Sequence, residues 1–156
     1  MRGRVKNRNQ PTEDLKYAST RLSKFINNVM QAGKKETARK IVYGAFEVIK
    51  EKAKIEDPME VFELAIKNAG PVTEVRSRRV GGANYQVPRE TRPERRQYLA
   101  MKWILDAAKA KKGLPMHKKL ADELIAASKN EGEAIKKRDN TLKMAEANRA
   151  FAHFAW

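Results

Sequence analysis

The chain has 156 residues, with 34 Lys and Arg against 19 Asp and Glu, for a net charge of +15. That length suits one domain with a real core, and an excess of positive charge on this scale calls for a polyanionic partner. The absence of cysteine excludes a disulfide framework and a thiolate zinc site. No apolar run is long enough to span a bilayer and no signal-peptide core is present, so the expectation is a soluble protein of the cytosol or an organelle.

Residues 1–11 read as a flexible basic arm. Arg2, Arg4, Lys6 and Arg8 alternate with Gly, Asn and Val, and no acid precedes Glu13. Nothing there can form a packed face, and such arms order when they ion-pair with phosphates. The alternative is a solvated tail. From Thr20 the period turns helical: Leu22, Phe25, Ile26, Val29 and Met30 make one apolar stripe. Gly33 suits the residue after that helix, which leaves Lys34 and Lys35 at a helix–helix corner where two ammonium groups can meet a phosphate. The next helix is predicted over about Glu36 to Ala53, with Ala38, Ile41, Val42, Ala45 and Ile49 inward.

Asp57-Pro58-Met59-Glu60 has the chemistry of a helix start, and Gly70-Pro71 that of a stop. The helix between them is acidic, with Glu56, Asp57, Glu60 and Glu63 against Lys67, and is expected to face away from any phosphate backbone. Val72 to Val87 then shows the chain's one strand-like pattern. If extended, Glu74, Arg76 and Arg78 share a face, and Tyr85 and Val87 alternate with Asn84 and Gln86. Gly81-Gly82 supplies a tight turn, and Pro88 is expected to end the second strand. Arg76, Arg78 and Arg79 therefore project on a β-hairpin over about residues 72–88. Tyr85 has two readings: it stacks on an unpaired base, or it packs with Val75 and Val87.

Thr91-x-x-Glu94 resembles a capping box opening a helix to about Lys111. Arg92, Arg95 and Arg96 stand in its first turns, where cations oppose the helix dipole; function explains them better than stability does. Trp103 belongs to an apolar face with Ala100, Ile104 and Ala107. A fifth helix is expected from Pro115 to Lys129, acidic toward its end at Asp122 and Glu123. A basic loop, Lys136-Lys137-Arg138, should follow, with Asp139 or Thr141 capping a last helix whose Met144, Ala147, Phe151 and Phe154 lie near one side. Trp156 either packs or stacks.

The expected fold is mainly α: a single helical domain over residues 12–156, of about six helices, with one protruding β-hairpin and the basic arm before it. Enzyme chemistry has no nominee. His117 and His153 are the only histidines and lie in different predicted helices, and neither the GxxxxGK[ST] nor the GxGxxG spacing occurs. No cofactor or metal is implied. Binding of folded RNA is favoured over an architectural DNA-binding role, because minor-groove hairpins place an apolar wedge or Pro at the tip and here the tip is Gly81-Gly82. A membrane-surface role is weaker still, since the basic residues are spread over several elements.

The stretch EVRSRRVGGANYQVP from Glu74, followed by RPERRQ from Arg92, resembles the signature of the bacterial-type small-subunit ribosomal protein seven family. The C-terminal KMAEANRAFAHFAW matches the same family's end. Arg89 and Thr91 depart from its usual apolar β-branched residues, and Leu142 from its usual His. The resemblance implies a helical protein with a protruding hairpin that binds the 3′ major domain of small-subunit rRNA and nucleates assembly of the subunit head. It also implies a hairpin near exit-site tRNA and the mRNA exit path, with neighbouring head and platform ribosomal proteins as partners and no membrane. Arg2, Arg4, Lys34, Lys35, Arg92, Arg95, Arg96 and Lys102 would then be rRNA contacts, and Arg76, Arg78, Arg79 and Tyr85 would sit in the hairpin.

Overall fold

The structure is a computed structural model that describes residues 11–154. These run α1 (Thr20–Val29), α2 (Lys35–Ala53), α3 (Pro58–Ala69), β1 (Thr73–Val80), β2 (Ala83–Glu90), α4 (Pro93–Ala110), α5 (Met116–Ser128), α6 (Glu133–Ala147) and a C-terminal 3-10 helix (Arg149–Phe154). The described residues are mainly helical with one two-stranded antiparallel hairpin, as the sequence leads one to expect. Arg2, Arg4, Lys6, Arg8 and Trp156 lie outside the described residues. The chain falls into two compact units that divide between Lys40 and Ile41, inside α2.

In the first unit, Ser19 caps α1: its Oγ accepts from the Leu22 amide at 3.3 Å. The predicted stripe is buried at Leu22, Phe25, Ile26 and Val29. The helix ends earlier than its apolar pattern suggests, at Val29, with Met30 as its cap. Gly33, at φ +76°, instead shapes the turn before α2, where the Lys35 amide donates to its carbonyl at 2.8 Å.

In the second unit, α3, α4 and α5 pack on one another and α6 packs against all three. Fully buried Phe62, Ala65, Ala100, Ile104, Leu120 and Leu124 form the middle of this core. The α2 face there includes Val42, Ala45 and Ile49 as expected, but also fully buried Phe46, whose ring lies 5.9 Å from that of Phe62. Ile41, expected inward, is only half-buried. Asp57 caps α3 through Oδ1, which accepts from the Met59 amide at 2.8 Å. A cap of that kind is worth about 1 kcal/mol.

Three expectations are corrected. First, Lys136-Lys137-Arg138 is not a loop: α6 begins at Glu133 and runs through it. Neither Asp139 nor Thr141 caps a helix; the Thr141 hydroxyl donates to the Lys137 carbonyl one turn back. The cap comes from another element. Glu123 of α5 accepts the Ala134 amide through Oε1 at 3.1 Å, so the start signal lies eleven residues upstream. Met144 is consequently exposed, and Ala145 is the buried residue in that turn.

Second, Pro88 does not end β2, which continues to Glu90. The register pairs Val80 with Ala83 across a two-residue turn and Val75 with Pro88. Hydrogen-bonded and non-hydrogen-bonded pairs alternate along an antiparallel ladder. The Thr91 amide donates to the Val72 carbonyl at 2.8 Å, which fixes the phase and makes Val75–Pro88 a non-hydrogen-bonded pair. Proline's missing N–H therefore costs the ladder nothing. Third, Thr91 does not cap α4. Its backbone closes the hairpin, and α4 starts with Arg92 at the cap position and Pro93 in the first turn.

Candidate nucleic-acid interface

Alternation along the hairpin creates two unlike faces. One carries Ser77, Arg79, Asn84 and Gln86, all exposed. Arg79 has no ion-pair or hydrogen-bond partner for its guanidinium among the described residues, so this face offers a free cation among uncharged polar groups. The opposite face carries Glu74, Arg76, Arg78, Tyr85 and Val87, and Val87 is buried. This face turns toward the helices: β1 and β2 both meet α6, and β2 meets the C-terminal 3-10 helix.

Tyr85 does not pack with Val75 as one sequence reading has it. Val75 lies on the other face, so the two cannot pack together. The tyrosine ring instead sits between Phe151 and Phe154, with centroids 5.2 and 5.3 Å away. Beside it, Arg78 is half-buried and donates through Nη1 to the Phe154 carbonyl at 2.7 Å. Two of the predicted contact residues thus bind the chain's own C-terminal segment.

Nearer the hairpin base, buried Glu74 holds two guanidiniums. Its Oε1 accepts from Arg76 Nε at 2.8 Å and Nη2 at 2.7 Å, and its Oε2 accepts from Arg95 Nε at 3.2 Å. Arg76 and Arg95 are thereby brought together and remain largely exposed. Arg95 also lies over the Tyr98 ring, 5.5 Å from its centroid. An open cavity of about 550 Å³ is lined here, with exposed Arg89 and Arg92 on its rim. Neither Tyr98 nor Arg89 is among the predicted contact residues, although Arg89 stands out in the sequence as a departure from the family pattern that adds charge at the hairpin base. Two signals pointed to them: Arg95-x-x-Tyr98 is one-turn spacing on a helix face, and Arg89 pairs directly with Glu74 in the hairpin register.

Other predicted contacts divide by use. Arg96 is half-buried and donates to the Gly70 carbonyl at 3.1 Å, finishing the end of α3 rather than facing outward. Lys102 is exposed on α4. Lys137 is exposed on α6 with its ammonium 6.0 Å from the ring centroid of Trp103, which is buried in the core. Lys136 binds the Glu133 carboxylate at 2.6 Å, and that hydrogen bond holds its pKa above the ordinary 10.5. Arg138 donates to the Asn68 carbonyl at 2.7 Å and is structural. In the first unit, Lys34 is exposed and Lys35 half-buried at the start of α2.

The acidic stretches also divide. Glu56, Asp57, Glu60 and Glu63 are exposed. Glu123, expected on an acidic surface, is fully buried, and its Oε2 meets the Lys111 ammonium at 2.6 Å. Asp122 pairs with Lys52 at 2.6 Å. These two carboxylates tie helices together.

His117 is half-buried beside Gly44, and His153 Nδ1 lies 2.9 Å from the Ala150 carbonyl. Among the described residues no cluster of three or more His, Asp or Glu is placed to hold a metal, and no helix is long and apolar enough to cross a membrane.

Comparison with known proteins agrees with the hairpin signature. The chain is 57% identical over 156 residues to the small ribosomal subunit protein uS7 of Thermotoga neapolitana, covering all of both chains. It is 56% identical over 155 residues to that of Moorella thermoacetica, covering 99% of this chain and 98% of the relative. Against the Francisella tularensis subsp. holarctica protein it is 55% identical over 143 residues, 92% and 91% of the two chains. The profile of the family described as ribosomal protein S7p/S5e matches residues 1–149. The chain belongs to the ribosomal protein S7p/S5e family, a family of structural proteins rather than enzymes.

Proposed function

We propose that this protein is a structural constituent of the small ribosomal subunit that binds the 3′ major domain of its rRNA and nucleates assembly of the subunit head. The observation that carries the reading is the outer hairpin face, where Arg79 stands unpaired among Ser77, Asn84 and Gln86. Cations there neutralise phosphates, while neutral polar groups reach 2′-hydroxyls and base edges. The net charge of +15 and the name shared by the relatives support the same partner. Arg76, Arg92, Arg95, Lys102 and Lys137 extend the basic surface in the second unit; Lys34 and Lys35 do so in the first. On this reading the hairpin lies near exit-site tRNA and the mRNA exit path. Ribosomal proteins of the head and platform are its neighbours, and the protein works in the ribosome of the cytoplasm.

The test is a titration of the full chain against the 3′ major domain of small-subunit rRNA at physiological salt, with tRNA and duplex DNA in excess. Binding that survives both competitors is expected. Loss to either one alike would mean that charge alone drives association, and would return the architectural DNA reading.

A further inference from the structure

The cavity between the hairpin base and the start of α4 has a composition that phosphate binding alone does not explain. Four arginines line it, Arg76, Arg89, Arg92 and Arg95, but so do three carboxylates. A site built only for phosphate gains nothing from acids, which repel the ligand. Glu74 is accounted for, because it is buried and saturated by Arg76 and Arg95. Glu90 and Glu94 are not: both are exposed and neither has a hydrogen-bond or ion-pair partner for its side chain among the described residues. A carboxylate is an acceptor only and needs N–H donors from its ligand.

The aromatic wall narrows the choice. Tyr98 is 42% exposed, and Arg95, anchored by Glu74, covers part of its ring. A planar ligand extends such a stack. The cavity, about 550 Å³, falls within the range of about 300–1,000 Å³ typical of sites for small ligands.

From these features we infer that the groove takes a single unpaired guanosine extruded from the RNA chain, which deepens and rests on the RNA-binding reading above. Guanine is the base whose two edges match both kinds of side chain present. Its O6 and N7 form the acceptor pair that a guanidinium such as Arg89 or Arg92 meets with two hydrogen bonds. Its N1–H and N2–H2 form a donor pair that one carboxylate of Glu90 or Glu94 accepts. Adenine, cytosine and uracil lack that combination. Tyr98 supplies the stacking surface used for splayed-out bases, and the pinned guanidiniums of Arg76 and Arg95 flank the nucleotide's phosphate. A basic peptide from a neighbouring protein would satisfy the two glutamates equally, but would leave the four arginines opposed by like charge.

The experiment uses the full chain and two readouts. In the first, the Tyr98 ring signals are followed by NMR during titration with GMP, AMP, CMP and UMP. GMP is expected to shift them at the lowest concentration, with the preference abolished in the Glu90→Gln, Glu94→Gln double variant. In the second, Tyr98→Leu is titrated against the 3′ major domain rRNA. Affinity should fall about 5- to 150-fold, the span of one lost base–aromatic stack, with the salt dependence unchanged because no phosphate contact is removed. Equal response to all four nucleotides, or wild-type rRNA affinity in Tyr98→Leu, overturns the guanosine site while leaving rRNA binding intact. A Lys/Arg-rich peptide that shifts Tyr98 when GMP does not would overturn it in favour of a protein neighbour. Failure of the wild-type chain to bind the rRNA selectively would remove both readings together.

Discussion

The Arg78 guanidinium donates to the main-chain carbonyl of Phe154, 2.7 Å away and 76 residues later in the chain. With Tyr85 held between Phe151 and Phe154, this bond fastens the outer part of the hairpin to the C-terminal 3-10 helix. An isolated two-stranded hairpin is marginally stable in water, so its order depends on this fastening. Changing Phe151→Ala and Phe154→Ala together removes two ring pairs of about 0.5–1.5 kcal/mol each. Amide hydrogen exchange should quicken along β1 and β2, including the amides of Arg78 and Tyr85, while α3, α4 and α5 keep their protection. Unchanged exchange in the hairpin would show that it stands without the aromatic clasp.

Arginines of similar appearance in the sequence should separate by experiment. Arg79→Ala removes an unpartnered cation from the outer face, and should lower the slope of log affinity against log salt by about 0.7–0.9. Thermal stability should not move. Arg96→Ala removes the donor to the Gly70 carbonyl and should show the reverse pattern: a lower melting temperature and an unaltered salt slope. Salt titrations and thermal melts of both variants check the contrast.

Glu123 is the buried acceptor for α6. Glu123→Ala leaves the Ala134 amide without a partner, at a cost of about 1–3 kcal/mol. Lys111, which is partly exposed, can turn to water, so the loss of its ion pair adds little. Glu123→Gln retains an oxygen for the Ala134 amide and should recover most of the difference. Urea unfolding midpoints of the two variants give the comparison.

Gly132 holds φ +96° directly before α6, and an added Cβ would stand 2.9 Å from Glu123 Oε1 and 3.2 Å from Ala126 Cβ. Gly132→Ala therefore combines an unfavourable backbone with a collision against the capping carboxylate. It should destabilise by more than about 1 kcal/mol, the reverse of the gain that Gly→Ala gives at a relaxed position. A melting temperature equal to wild type would mean that the loop moves aside freely.

Local chemistry made much of the fold legible. The apolar stripe of α1, the Asp57 cap and the Gly81-Gly82 turn each act within a few residues, so spacing alone reveals them. What stayed hidden acts at a distance. The cap of α6 is a glutamate on another helix, so the pattern around Lys136 to Arg138 read as a loop. Pro88 looked like a strand end because only the register shows that its position needs no donor. The basic residues were recognised by type, but Arg78 and Arg96 are spent on backbone carbonyls that lie far away in sequence. The one-turn spacing of Arg95 and Tyr98 was legible, but what fixes Arg95 over the ring was not: Glu74, on a strand 21 residues earlier.

The hairpin's fastening also imposes an order of events during synthesis. A chain is made from its N-terminus, so earlier segments emerge before later ones. Tyr85 and Arg78 emerge long before Phe151 and Phe154 exist to receive them. Throughout that interval the inward face of the hairpin has no seat, and its arginine and tyrosine are open to any polyanion at hand. The inward face is seated only after Phe151 and Phe154 have been made, so a surface in the middle of the chain waits on residues up to 76 positions later.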